Sequence, residues 1–317
     1  MGAVYKGRDA VTSQAVAIKT IALSREFRGD EVVEARQRFF REAETAGLLR
    51  HPDIVTILGA GDEGELAFIA MEFVAGRDLS WYAHPARLLP LETVLPIVAR
   101  IAEALAYAHT QGVVHRDIKP ANIMVDPDHD IVKITDFGVA RITDSSRTRS
   151  GVVLGTPAFM SPEQMAGGRV DGRTDIYSLG VVLFNLLTGR LPHRATSMAQ
   201  LMFQIANRAP PDVREIRPEL PEALADVVTL ALEKRSEVRY ADGHQFGADL
   251  RAVAGTLTAM QRGVQAAMQT DPASAVDAEH PGVAADAPTT ASDEARNSIG
   301  HGEPLSQGTI PTLDQHR

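Results

Sequence analysis

Cysteine is absent from all 317 residues. Disulfides, thiolate metal centres and thiol nucleophiles are excluded together, and the absence fits a reducing compartment. Long apolar runs are also missing. The strongest, "IYSLGVVLFNLLTG" from Ile176 to Gly189, falls short of the roughly 20 residues that a membrane-spanning helix requires. No basic-then-apolar signal segment opens the chain. Positive charge is in deficit, with a formal net charge of -9, which argues against nucleic-acid or anionic-membrane partners. The deficit is concentrated beyond Thr256, where eight carboxylates face three arginines. The chain reads as soluble and cytoplasmic, and 44% hydrophobic residues are enough for a sizeable core.

Three regions differ in pattern. Residues 1–75 carry short alternating β-branched runs ("QAVAIKTI", "LAFIAMEF") around one amphipathic segment, Glu31 to Arg50, with Phe39, Ala43, Ala46 and Leu49 at helical spacing. This predicts a small sheet with one helix. Residues 76–255 open after Gly76 with a long amphipathic helix and hold a nearly all-apolar one, "TDIYSLGVVLFNLLTG", which must be buried. Helices are also predicted near Ser197 to Asn207, Glu222 to Glu233 and Gly243 to Ala254, with short β stretches at "NIMVD" and "IVKITDFG". Residues 256–317 are rich in Ala, Asp, Pro, Ser and Thr and lack aromatics. Such a tail is expected to be disordered, apart from a helical extension through Met268.

The middle of the chain holds "VVHRDIKPANIMVD" and then "VKITDFGVARI"; "AVAIK" and a helix bearing Glu42 precede them, and "GTPAFMSPEQ" follows. Each triplet alone is weak evidence, and any one of these residues has an ordinary surface or core explanation. Their common order is specific. Over about residues 1–255 the chain resembles the eukaryotic-like Ser/Thr protein kinases of bacteria. That resemblance implies an α+β, bilobal fold: a small antiparallel-sheet lobe with one helix, a mainly helical lobe and a disordered tail. It also implies ATP, Mg²⁺ or Mn²⁺, and Ser/Thr acceptors on proteins.

Phosphoryl transfer asks for alignment and charge neutralisation more than covalent help. The resemblance assigns Asp117 as the base, with Lys119 steadying the γ-phosphate and Lys19 holding the α- and β-phosphates. Glu42 is the expected carboxylate partner of Lys19, because it shares the inward helix face; Glu44 is the alternative. Asn122 and Asp136 are the expected metal-holding pair, both hard oxygen donors. The adenine would lie among Val4, Ala17 and Met124, bonded by backbone groups of Glu72 and Val74, with Met71 at the rear.

Between Asp136 and Glu163 the chain resembles an activation loop rich in hydroxyls, of which Thr148 and Ser150 are the expected phosphosites. Arg116, just before Asp117, would receive the loop phosphate, and self-association would serve autophosphorylation. Thr156 is expected to bind Asp117 and Lys119, Glu163 to pair with Arg239, and Asp175 to cap the "HRD" backbone. Ser161 departs from the family's usual Ala. An inactive scaffold and a small-molecule phosphotransferase are the competing readings.

The opening "MGAVYKG" matches only part of a Gly-rich lid. Gly2 falls on its third glycine and Val4 on its valine, while the first two glycines and the strand before them have no counterpart. The expectation is that Met1 is an internal Met and that the natural start lies upstream; the alternative is a real truncation, with an exposed sheet edge and weak ATP binding.

Overall fold

The structure is a computed structural model that describes residues 3–23, 27, 29–64, 66–137 and 157–269. Strands β1 (Ala3–Arg8), β2 (Ala15–Ala22), β3 (Ile57–Glu63) and β4 (Leu66–Glu72) form an antiparallel sheet in the order β1-β2-β4-β3. Lys19 on β2 stands between Val4 on β1 and Ile69 on β4. Alternation decides the buried face: Ala67, Ile69 and Met71 point one way from β4, as a period of two demands. Against that face lies α1 (Asp30–Gly47), which turns Ala35, Phe39 and Ala43 inward at four-residue spacing, while Ala46, one turn on, joins the core of the helical part. Full burial of Phe39 stabilises this contact by about 2–3 kcal/mol. The edge strand β1 has no fully buried residue, and Val4 and Tyr5 are exposed.

Gly76 separates this sheet from the helical part. Its φ of +119° is open to glycine, and a Cβ there would meet the Val125 carbonyl oxygen at 2.3 Å. Beyond it lie α2 (Leu91–Thr110), a short α3 (Pro162–Met165), α4 (Gly172–Thr188), α5 (Met198–Asn207), α6 (Val213–Ile216), α7 (Glu222–Ala231) and α8 (Gly243–Gln269). Helix α4 is buried nearly throughout; it starts where the Asp171 side chain accepts from Arg173 N and ends at Gly189, φ 68°. Helices α2, α4, α7 and α8 share one core.

A second antiparallel sheet, β5 (Arg77–Asp78), β6 (Ile123–Asp126) and β7 (Ile131–Ile134), lies between the two parts. Strand β7 is tied to the 53–55 segment: Val55 N donates to Ile134 O at 2.9 Å and Ile134 N to Asp53 O at 2.8 Å. Those two bonds set the height at which the chain leaves β7 towards Asp136.

Helix α8 runs to Gln269, past the tail boundary at 256 and in line with the helical extension expected through Met268. Its second half is rich in Ala, Gln and Met, good helix formers. Thr256 and Thr258 fit by returning their hydroxyls to the carbonyls of Ala252 and Ala254. Residues 270–317 lie outside the described residues.

Candidate active site

Asp117 sits in the loop between α2 and β6, with Lys119 Nζ on its Oδ2 at 2.7 Å. Asn122 Nδ2 donates to the same oxygen at 3.0 Å and to the Asp117 carbonyl at 2.8 Å. The carboxylate is therefore oriented from two sides while remaining open to solvent, 38% exposed. Both N–H bonds commit the Asn122 amide nitrogen to Asp117, which turns its Oδ1 away as a free acceptor. Thr135 N bonds Asn122 O at 2.9 Å, so Asp136, the next residue, starts beside Asn122. An amide oxygen and a carboxylate fit a hard divalent cation.

The loop's backbone is strained where the chemistry lies. Arg116 has φ +69° and Asp136 φ +65°, each costing on the order of 1–3 kcal/mol unless the surroundings enforce it. For Arg116, Asp175 provides that enforcement from the first turn of α4. Its Oδ1 accepts from Arg116 N at 2.7 Å, and its Oδ2 from His115 N at 2.8 Å. His109 Nε2 meets the same Oδ2 at 2.8 Å, a contact the sequence did not signal. Gln164 Nε2 takes the Arg116 carbonyl at 2.8 Å, so both backbone groups of Arg116 are held.

His115 is fully buried and works as a spacer. Its Nδ1 accepts from Asp117 N at 3.2 Å, so the proton lies on Nε2, which donates to Thr135 O at 2.8 Å. One ring thereby joins the Asp117 loop to the strand that leads to Asp136. Gly172 makes room nearby, since a Cβ there would stand 2.5 Å from His109 Nδ1.

On the sheet side Lys19 Nζ forms an ion pair with Asp136 Oδ2 at 2.8 Å, rather than with Glu42. Glu42 is half-buried on α1, and Glu44 is exposed. Helical spacing put Glu42 on the inner face, but it could not set the distance between the helix and β2. Lys19 and Asp136 line one small apolar cavity with Met71 and Phe137. Ala17 and Val74 are partly buried against the sheet's core, and Met124 is half-buried on β6. Val4 is 63% exposed on the edge strand.

Glu72 ends β4 with its backbone N–H committed to Thr56 O at 3.0 Å. Its carboxylate accepts from Thr56 N at 2.7 Å and from Lys133 Nζ at 2.6 Å. Lys133 thus ties the sheet's last residue to β7, and nothing in the sequence pattern singled it out.

Behind the loop, Arg239 and Glu163 form a two-pronged pair, 2.7 Å at each prong. The remaining Arg239 donors reach the carbonyls of Glu233, Lys234 and Arg173. Burial alone would raise the Glu163 carboxyl, but the bonds and charge of Arg239 outweigh it and hold the group below its ordinary range. Arg239 also lies over the Tyr177 ring, 4.9 Å from its centroid. Next to it, burial and then the Arg239 charge push Lys234 down to about 8. Its Nζ donates to His193 Nε2 at 3.1 Å, and burial, followed by the Lys234 charge, pushes His193 down to about 4. Ser161 N-caps α3 in a capping box with Gln164, so the hydroxyl that replaces the usual Ala fixes the residue that holds Arg116.

Gly2, Thr148, Ser150 and Thr156 lie outside the described residues.

Comparison with known proteins agrees with this geometry. The protein kinase domain family matches residues 1–246. The serine/threonine-protein kinase pkn3 of Myxococcus xanthus is 40% identical over 80% of this chain and 48% of its own length. For PrkC of Bacillus subtilis the figures are 36%, 79% and 38%. The chain thus spans half or less of these two relatives. Among solved structures, Rad53 residues 1–466 in complex with AMP-PNP superimposes with a TM-score of 0.64 at 28% identity, covering 78% of this chain and 60% of that one. A family match across nearly all of the described residues, on an Asp117 loop pinned from helix α4, leads to one conclusion: the chain belongs to the protein kinase family, among the eukaryotic-like serine/threonine kinases of bacteria.

Proposed function

We propose that the chain is a protein Ser/Thr kinase that moves the γ-phosphoryl group of ATP onto Ser/Thr hydroxyls of proteins. The observation that carries this reading is the Asp117 carboxylate, held by Lys119 and Asn122 yet open to solvent. Asp117 takes the acceptor's proton as the acceptor oxygen bonds to the γ-phosphorus and the bond from that phosphorus to the β-phosphate oxygen breaks, ADP leaving; Lys119 offsets charge on the transferred group. Bound nucleotide with Mg²⁺ or Mn²⁺ supplies the phosphoryl group and neutralises its charge. Asn122 Oδ1 and Asp136 would hold the metal, and Lys19 the inner phosphates. Glu42 would orient Lys19 once Asp136 turns to the metal. Gly2, Val4, Ala17, Met71, Val74 and Met124 would surround the nucleotide with the backbone of Glu72.

Regulation follows the same chemistry. Phosphate on Thr148 or Ser150, added by a second copy of the chain, would gain the charge of Arg116, and Thr156 would bond Asp117 and Lys119. The reading sets this work in the cytoplasm, where ATP is at hand, with proteins as acceptors.

The test is transfer of labelled γ-phosphate to a protein acceptor by the chain and by Asp117→Ala. A signal that falls at least about 100-fold in the variant supports the reading, and equal signals overturn it. Phosphopeptide mapping of active protein that finds residues 138–156 unmodified would overturn the loop sites alone.

A further inference from the structure

Beside the catalytic loop runs an open groove walled by the segment after β5, by Lys119 to Ala121, and by the turn that follows α4. Its lining carries Lys119, Arg190, Arg194 and His84, and among the described residues it carries no carboxylate. That is unusual for a chain of formal net charge -9. Arg190 and Arg194 are exposed and have no ion-pair partner among the described residues. Arg169, Arg173 and Arg208 of the same part also lack one among the described residues, whereas Arg100, Arg214, Arg217 and Arg239 each face an Asp or Glu. What sets Arg190 and Arg194 apart is that they share one groove with Lys119.

The segment that supplies Ser80, Ala83 and His84 to the groove carries further positive charge. Trp81 lies between two guanidiniums, Arg87 at 3.8 Å and Arg77 at 4.2 Å from its ring centroid. This stack belongs to the segment that gives the groove His84. Stacking fixes both arginines in place without neutralising them. His84 Nδ1 accepts from Ala86 N at 3.2 Å, which leaves Nε2–H as a donor. Gathering like charges without counter-charges costs stability, and an anionic visitor offsets that cost.

The groove is continuous with the chemistry, because Lys119 lines it and also bonds Asp117 at 2.7 Å. A chain whose hydroxyl lies at Asp117 must lead its flanking residues along this wall. The geometry points to a specificity subsite: the groove selects protein acceptors that carry Asp or Glu within a few residues of the phosphorylated Ser or Thr. The inference rests on the kinase reading and deepens it by naming the substrate class. Lys119 serves transfer to any acceptor, so Arg190 and Arg194 are the residues that discriminate.

Three synthetic acceptor peptides test this, identical except for acidic, alanine or basic flanks, with the full chain and with the double variant Arg190→Glu/Arg194→Glu. For the unaltered chain, kcat/KM should favour the acidic over the alanine peptide by about tenfold, chiefly through KM, and the ratio should shrink between about 0.05 M and about 0.5 M salt. The double reversal should bring the ratio to about one or below. Fluorescence anisotropy of the same labelled peptides measures binding independently of turnover. Discrimination in binding without phosphorylation of any peptide would uphold the groove and overturn the kinase reading. Phosphorylation without flank preference, or a preference that survives the double reversal, would overturn the groove and leave the kinase reading standing.

Discussion

Asp175 bonds two consecutive backbone amides of the Asp117 loop and a histidine of α2 from a position with no solvent exposure. Lys19, across the site, is held by one ion pair to Asp136, with side chains 17% and 26% exposed. The acceptor side of the site is thus built into the helical core, whereas the phosphate side rests on a strand pair whose edge member, β1, has no fully buried residue. The contrast follows from burial. A carboxylate in the core must satisfy all its lone pairs or cost several kcal/mol, so its neighbours become fixed. An ion pair with both side chains partly exposed is replaceable by water, and its partner can change. Rigid geometry therefore gathers around Asp117, where proton transfer needs a set position. Lys19 keeps the freedom to exchange Asp136 for phosphate oxygens.

Stability measurements on single variants can break this comparison. Arg239→Ala strikes a deeply buried pair and leaves Glu163 uncompensated. It should cost about 3–5 kcal/mol, seen as a fall in Tm of about 10 °C for a domain of this size. A loss below about 1 kcal/mol would mean that the pair does not brace α3. Asp175→Ala strands the amides of His115 and Arg116, and denaturant unfolding should register about 2–4 kcal/mol. Because the left-handed Arg116 loses its holder, transfer should fall with it.

A smaller effect appears with pH. Burial holds His193 at about 4, against an ordinary 6.5, so the unfolded chain binds a proton that the folded chain refuses. Stability attached to His193 is full above pH 6.5 and is lost as pH falls towards 4, by at most about 2 kcal/mol. His193→Gln keeps an acceptor for Lys234 and should flatten the urea stability curve between those two pH values. An unchanged slope would remove His193 from the account. Lys19→Met should have the smallest effect on folding, under about 1 kcal/mol in urea, while phosphoryl transfer drops at least about 100-fold. A large stability loss here would erase the distinction between the two sides.

Periodicity carried much of the fold. The alternation in "LAFIAMEF" and the spacing of Phe39, Ala43 and Ala46 forced a sheet with one covering helix, and the apolar run from Ile176 to Gly189 forced a buried helix. The extension of α8 rested on propensity alone, because the residues from Thr258 to Gly263 are exposed and give no packing signal. In the site, motif order marked Asp117, Asn122 and Asp136. The contacts that brace the surrounding frame were hidden because each joins elements far apart in the chain: His109 on α2 to Asp175, Gln164 on α3 to the Arg116 carbonyl, and Lys133 on β7 to Glu72. The groove beside Lys119 was hidden for the same reason, since residues 84, 119, 190 and 194 meet only once α4 has turned at Gly189.

By itself the sequence determined which residues face inward, which motifs occur in which order, and hence the family, since these depend on local spacing and residue type. Only the tertiary structure decided which charges meet. It paired Lys19 with Asp136 rather than Glu42, gave Asp175 three partners, and left Arg190 and Arg194 without a carboxylate partner among the described residues. The physical reason is range: hydrophobic pattern repeats within a few residues, whereas an ion pair is settled by the last few ångströms between elements far apart in the chain.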